Sequence, residues 1–352
     1  SNDPVGATLV YNEREATYDV GVRIKGSERG RAQPLRAGFA IKFPSDKPFR
    51  GVYRSVMIDR SEGIHFGQRE MLINQVMSHA GSLSAEYNDL IWVMAPLQEH
   101  TGPAELQLAR FGDLLLDFQF DEGGEGNVYE YELVYYPTTT DDGTPEGQKL
   151  PEPDLVVGTR IRDLGPDKEG YRFAFGQKNR RWADEYTRLI EAVGVFGQEG
   201  PGFHEMIAEV IDVDQWLRSF AFGTLSGAID CYASGAQHNA VLYVRPADQR
   251  LLLFSHDLDF YSGSPERPVI GNADLAKLLE TPAYERAYYA HLYEIIRTSY
   301  NATYMAYWSE HFGALLPDQD FAGHLQFIAD RAEWILHTAP DAVATAIPEV
   351  AF

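Results

Sequence analysis

The sequence predicts a two-lobed α+β protein, sheet-rich over residues 1–135 and mainly helical over residues 155–352, and three observations lead there. Short runs with period-two alternation fill the first part, and the stretch 136–154 is rich in Pro, Thr, Asp and Gly without periodicity. Beyond it, apolar residues recur at three- and four-residue spacing. The chain of 352 residues, 44% hydrophobic and 12% aromatic, is long enough for one large domain or two lobes around a sizeable core.

Taken in order, Thr8 to Val10 and Asp19 to Lys25 read as strands, the second alternating Val20, Val22, Ile24 against Gly21, Arg23, Lys25. A glycine-containing loop follows (Gly26, Ser27, Glu28, Arg29, Gly30, Arg31), and Gly38 to Phe43 resumes as a strand. Lys25, Arg29, Arg31, Arg36 and Lys42 fall within eighteen residues. Such a loop, with free backbone N–H groups beside a basic cluster, can hold phosphate oxygens; the alternative is a solvated hairpin tip that balances nearby carboxylates. Ser55 to Ile58 makes another strand, Gln68 to Ala80 an amphipathic helix stopped by Gly81, and Asn88 to Met94, Glu105 to Leu108 and Val128 to Tyr135 further strands. Residues 136–154 read as a long loop or flexible insertion and as the lobe boundary. Helices are then expected over Trp182 to Val193, Pro201 to Val210 and Val213 to Phe222, the last capped by Asp212. More are expected over Leu275 to Glu280, Tyr284 to Tyr300, Thr303 to Leu316 and Phe321 to Leu336.

Composition narrows the function classes. With 52 acidic and 30 basic residues and a formal charge of −22, the chain is a poor partner for nucleic acid or an anionic membrane. No run approaches the roughly 18–20 apolar residues of a membrane span. A single cysteine, Cys231, rules out an internal disulfide framework. There is no GxxxxGKS/T loop, GxGxxG before a helix, HExxH or GxSxG, which removes the commonest NTPase, dehydrogenase, zinc-protease and hydrolase readings.

The chemistry concentrates in residues 229–263, IDCYASGAQHNAVLYVRPADQRLLLFSHDLDFYSG. Ala240 to Val244 and Leu251 to Phe254 read as a hairpin carrying Asp230, Asn239, Asp257 and Asp259 at one end. If the second strand persists, Asp257 and Asp259 face the same side, and their repulsion calls for a cation. Mg²⁺ or Mn²⁺, completed by the Asn239 oxygen and by phosphate oxygens, would serve, and Ca²⁺ is the hard-cation alternative. The bland reading is a strand-end turn with a surface carboxylate. His238 and His256 are expected to be hydrogen-bonded rather than ligands. Cys231 has no cationic neighbour in sequence to lower its pKa and is not expected to be a nucleophile.

These residues resemble the spore-coat protein H (CotH) kinase family, whose fold is a diverged relative of protein kinases. The resemblance runs through VRIKGSERGRAQPLRAGFAIKF (22–43), IDVDQWLRSFAFGTLSGAID (211–230), HNAVLYV (238–244), LLLFSHDLDF (251–260) and the stretch from Asn272 to Leu279. It implies a two-lobed atypical protein-kinase-like fold that transfers the ATP γ-phosphoryl group to a hydroxyl, of protein Ser or Thr. It further implies Asp230 as the base, Asn239 and Asp257 as metal ligands with Asp259 assisting, and Lys25, Gly26, Ser27, Arg36 and Lys42 around the nucleotide phosphates. An extracellular or cell-surface setting is expected over a cytoplasmic one. Asn239 lies nine residues after Asp230, where the family and protein kinases use about five; an ungapped match would put Ser234 in the base position, whereas the upstream helix matches Asp230 without a gap. The alternatives are an inactive pseudokinase that acts as a binding or cell-surface module, and a calcium-bound structural domain of a larger extracellular protein.

Overall fold

The early strands follow their alternation closely. The computed structural model describes residues 4–25, 38–59, 67–81, 83–94, 101–132, 135–140, 142–143, 149–151, 161–172, 174–258, 263–317 and 319–340. In it β1 (Val5–Tyr11), β2 (Glu15–Lys25), β3 (Gly38–Lys42), β4 (Ser55–Asp59), β5 (Tyr87–Val93) and β6 (Gly102–Ala109) form one sheet in the order β1-β2-β3-β4-β6-β5. Every neighbouring pair is antiparallel. Val20, Ile41, Phe43, Val56, Ile58, Ala104 and Leu106 form its core, on the side that the two-residue period selects. Between β4 and β5 the chain forms α1 (Gly67–Ser78), with Met71, Leu72 and Val76 buried, and Gly81 at φ +61° ends the turn that follows.

A second antiparallel sheet has the order β10-β7-β11-β12, from β7 (Val128–Tyr131), β10 (Phe175–Gln177), β11 (Ala240–Val244) and β12 (Leu251–Ser255). One face packs Val128, Val241, Tyr243, Leu252 and Phe254 against Leu115 and Leu116 of α2 (Asp113–Gln119). The other face sends Tyr129, Tyr131, Leu242 and Leu253 into the large helical core. Burial on both faces is why β11 and β12 read as unbroken apolar runs rather than as alternation.

The helical part comprises α3 (Thr187–Phe196), α4 (Pro201–Val210), α5 (Val213–Ser226), α6 (Ala273–Leu278), α7 (Pro282–Thr298), α8 (Ala302–Leu315) and α9 (Phe321–Thr338). Proline opens α4 and α7, and the side chains of Asp212, Asn272, Asn301 and Asp320 accept from backbone N–H groups at the starts of α5, α6, α8 and α9. Antiparallel sheets in the first part and helices in the second give the two-lobed α+β layout.

Two expectations need correction. The helix read from Trp182 begins at Thr187, because Arg180 and Asp184 adopt positive φ and hold the chain in turns, with Trp182 exposed. The stretch read as an aperiodic loop over 136–154 carries an antiparallel pair, β8 (Tyr135–Thr140) with β9 (Lys149–Pro151). Its Tyr and Thr favour strand without any apolar alternation to announce it.

Gly227 ends α5 at φ +70°, and a Cβ there would stand 2.5 Å from Cζ of Phe327. Gly227→Ala is therefore expected to lower unfolding free energy by about 2 kcal/mol or more. The measurement is the urea midpoint at an unchanged slope.

Candidate active site

Among the described strands β12 pairs only with β11; at its other edge Ile211 bridges Leu251 in parallel, and the buried main-chain groups beyond that bridge need partners. Helix α5 supplies them from side chains. Gln215 donates from Nε2 to the Leu253 carbonyl at 2.7 Å and accepts the Leu253 N–H at Oε1 at 2.9 Å. Trp216 donates from Nε1 to the Leu251 carbonyl at 2.8 Å, and the Ser219 hydroxyl to the Leu253 carbonyl at 2.5 Å. Gln215 and Ser219 are four residues apart in the sequence, hence on one helix face. The helix that leads to Asp230 is thereby fixed to the strand that leads to Asp257.

Two further struts join the same ends. Arg69 of α1, buried, donates to the carbonyls of Ser226 and Leu258, the latter at 3.2 Å, and Oε1 of the neighbouring Glu70 accepts the Leu258 N–H at 3.2 Å. Asn239 is 4% exposed and donates from Nδ2 to the backbone carbonyls of both Asp230 and Asp257, each at 3.3 Å. With both donors spent, its remaining polar atom is the oxygen Oδ1. Asn239 and Asp257 both sit at φ +54°, a left-handed conformation that Asn and Asp tolerate best after glycine.

The positive φ of Asp257 corrects one expectation. The strand ends at Ser255, so the alternation that would have put Asp257 and Asp259 on one face does not continue. Asp259, Gly26, Ser27 and Arg36 lie outside the described residues. Lys25 and Lys42 are not brought together. In the β2–β3 ladder Lys25 pairs with Gly38 and Lys42 with Gly21, which separates the two by about 13 Å along the strands. Lys42 is exposed and pairs with Ser55.

The residues between Asp230 and Asn239 are folded in. They form a 3-10 turn, Tyr232–Ser234. The Tyr232 hydroxyl donates to the Asp274 carboxylate, and Nδ2 of Asn272 donates to the Tyr232 carbonyl at 2.7 Å. Asp274 also accepts the Ile161 N–H at 2.6 Å. Gln237 donates to the Glu132 carbonyl at 3.1 Å. Ser234, the residue of the ungapped match, turns its hydroxyl to the carbonyls of Ile229 and Cys231, both at 2.8 Å. Cys231 is buried, and burial pushes its thiol pKa up, as befits an inert packing residue.

Asp230 thus stays within electrostatic reach of Asp257. Burial pushes its carboxyl pKa up to about 6; the charges of Asp257 and Glu132 add to the rise and His238 offsets part of it. Its Oδ1 is buried without a hydrogen-bond partner. His238 contacts the Glu132 carboxylate through Nδ1. Burial works to lower the His238 pKa, but that bond and the charges of Glu132, Asp230 and Asp257 outweigh it.

A cavity of about 660 Å³ opens between the two sheets, lined among others by Met57, Arg110, Glu130, Lys178, Val241 and His256. It meets the residues above through His256, next in sequence to Asp257. Nε of Arg110 lies 3.3 Å from Glu86, its Nη1 donates to the Met57 thioether at 3.1 Å, and Nη2 contacts His256. Nδ1 of His256 is 3.3 Å from Glu86. Both histidines are therefore hydrogen-bonded, as expected. Sequence reasoning missed Glu132, Arg110, Glu86 and Arg69, which are joined to the site by contacts between residues far apart in the chain.

Among the described residues no group of three or more His, Cys, Asp and Glu gathers as a metal site. The donors present are an amide oxygen on Asn239 and carboxylates on Asp257 and Asp230, with one orphaned carboxylate oxygen. This set fits a hard divalent ion of the Mg²⁺ type, which uses one or two protein carboxylates and takes the rest of its shell from water and phosphate.

A carboxyl whose pKa is higher in the folded than in the unfolded state stabilises the fold while protonated and loses that stability as pH rises through the folded value. For the metal-free protein, Asp230→Asn is therefore expected to be more stable than wild type by about 2–3 kcal/mol at pH 7–8. The advantage should shrink between about pH 6 and pH 4 and vanish below that, which urea unfolding across this range would measure.

A family model described as CotH kinase protein matches residues 167–316. The match takes in α3 to α8 together with β11 and β12, and so the whole stretch from Asp230 to Asp257. Over that range the chain is similar to the CotH kinase family. Comparison with curated proteins finds no match.

Proposed function

We propose that the protein is a metal-dependent kinase that transfers the γ-phosphoryl group of ATP to a hydroxyl, of protein Ser or Thr. One observation carries this reading. The Asn239 carboxamide bonds both the Asp230 and the Asp257 backbones, so a buried carboxylate with an orphaned oxygen and a second carboxylate beside an amide oxygen share one junction. Phosphoryl transfer needs little covalent chemistry from the protein; it needs position and charge compensation.

In this reading the base of the nucleotide occupies the cavity between the sheets, against Val241 and His256, and its phosphates reach the Asn239–Asp257 corner. Asn239 Oδ1 and the Asp257 carboxylate would hold Mg²⁺ or Mn²⁺, which when bound offsets charge on the phosphate oxygens. The Asp230 carboxylate takes the acceptor's O–H proton while the acceptor oxygen bonds to the γ-phosphorus and the bond from that phosphorus to the ADP oxygen breaks. Its pKa of about 6 leaves it ionised at neutral pH yet basic enough for the task. His238, held by Glu132, lies within electrostatic reach of this carboxylate and offsets part of the rise in its pKa.

An inactive binding module would follow if the residues after Asp230 swung that side chain away. The bonds of Tyr232, Asn272 and Asp274 support the opposite arrangement.

Mn²⁺ or Mg²⁺ with ATP is expected to raise the melting temperature; no response to any nucleotide would sink the reading. Asn239→Ala and Asp257→Ala should lose the metal-dependent part of the rise. Asp230→Ala should keep nucleotide binding and lose phosphotransfer by about 10²–10⁴-fold. Autophosphorylation that survives Asp230→Ala refutes the base, and stabilisation by Ca²⁺ without nucleotide favours a structural-metal domain.

A further inference from the structure

Behind the turn that carries Asp230 lies a second, smaller cavity of about 180 Å³. One wall is the end of α5 and the turn beyond it (Gly223, Gly227, Ala228) with Ala233 and Ser234; the other is the segment Arg267 to Gly271, with Arg331 of α9 at its base. Its volume equals about six water molecules of ~30 Å³ each, room for a carboxylate or phosphate group. The walls are close-packed. A Cβ on Gly223 would stand 2.6 Å from that of Ala233, and one on Gly271 would stand 3.1 Å from the Ala233 carbonyl.

Among the described residues no carboxylate pairs with the arginines of this cavity. Arg331 is 1% exposed and spends its donors on carbonyls alone: Thr224 at 3.1 and 2.9 Å, Pro265 at 2.7 Å and Arg267 at 2.7 Å. Carbonyls satisfy its hydrogen bonds without neutralising it. Burial lowers its pKa and the Arg267 charge adds to that, while Tyr300 and Tyr288 oppose it. Arg267 forms no ion pair with any described carboxylate. Among the described residues neither of these two arginines has a carboxylate partner, in a chain of net charge −22, and for the buried Arg331 a charge without an anionic partner is costly.

From this geometry we infer that the cavity is an anion subsite for the phosphoacceptor: it takes an oxyanion, carboxylate or phosphate, carried by the acceptor chain next to the hydroxyl that is modified. Arg267 is the residue that grips it, with Arg331 as fixed positive charge behind. The inference rests on the proposed kinase reading for the identity of its occupant, because the walls Ala228 and Ser234 flank Asp230 in the chain. An acceptor with an acidic or already phosphorylated side chain a residue or two from the hydroxyl would place that group here while the hydroxyl meets Asp230.

Two measurements test it separately from the kinase reading. In the first, the full protein without metal or nucleotide is titrated with O-phosphoserine, and separately with glutamate, while its melting temperature is followed. Wild type should rise with at least one of them, and Arg267→Ala should need roughly tenfold more to respond; that substitution keeps the Arg267 carbonyl held by Arg331, and Arg267→Lys should recover part of the response. No rise in wild type, or an equal rise in Arg267→Ala, overturns the subsite. In the second, serine peptides bearing aspartate, phosphoserine or asparagine beside the acceptor are compared under Mn²⁺ and ATP. The acidic or phosphorylated peptides should exceed the amide in kcat/KM by roughly tenfold, and Arg267→Ala should erase that ratio. A wild-type ratio near one overturns the proposal. If no peptide is phosphorylated at all, the kinase reading falls, and the first measurement still decides whether the cavity binds anions.

Discussion

The hydrogen bonds from Gln215, Trp216 and Ser219 to the open edge of β12 are the interaction on which the site's geometry depends. A buried strand edge leaves carbonyl and N–H groups that must be paired, and here a helix satisfies them with side chains. The consequence is positional. Helix α5 cannot slide or rotate against β12 without exposing those groups, so the turn that follows α5 and the turn that follows β12 hold a fixed separation. Arg69 and Asn239 add struts between the same two turns. Apart from the Leu253 N–H, which Gln215 accepts, these bonds end on backbone carbonyls, and none of them uses the carboxylates of Asp230 and Asp257.

The site concentrates negative charge where burial makes charge costly. Asp230, Asp257 and Glu132 stand near one another, with His238 as the compensating group. In isolation this is destabilising, and the protein tolerates it because the surrounding core is extensive. The raised pKa of Asp230 is the visible sign of that cost. A kinase-like family match over residues 167–316 and a strained, acid-rich corner within that range point to the same place.

Much of this was legible in the chain. Helix α4 and strand β11 fall where periodicity puts them, because Pro201 marks a helix start and AVLYV is a short apolar run bounded by turn signals. Asp230, Asn239 and Asp257 are brought to one junction. What was not legible shares a physical cause. Glu132, Arg110 and Arg69 act through partners more than 100 residues away in the sequence, and no local pattern encodes such pairings. The end of the strand at Ser255 and the left-handed backbone at Asp257 likewise have no signal in the local alternation. The small helix α2 was hidden because its seven residues are too few for a periodic signal.

The covered edge of β12 has a bearing on how copies of the protein meet. Unpaired strand edges are templates on which another chain can add a strand. At β12 that template is consumed by Gln215, Trp216 and Ser219, so the strand leading to Asp257 is closed to such growth. The six-stranded sheet has outer strands β1 and β5, where Val5, Val10 and Trp92 are exposed. Among the described strands, β1 and β5 of that sheet and β10 of the second sheet are other outer edges, so covering β12 protects the one edge that leads to Asp257.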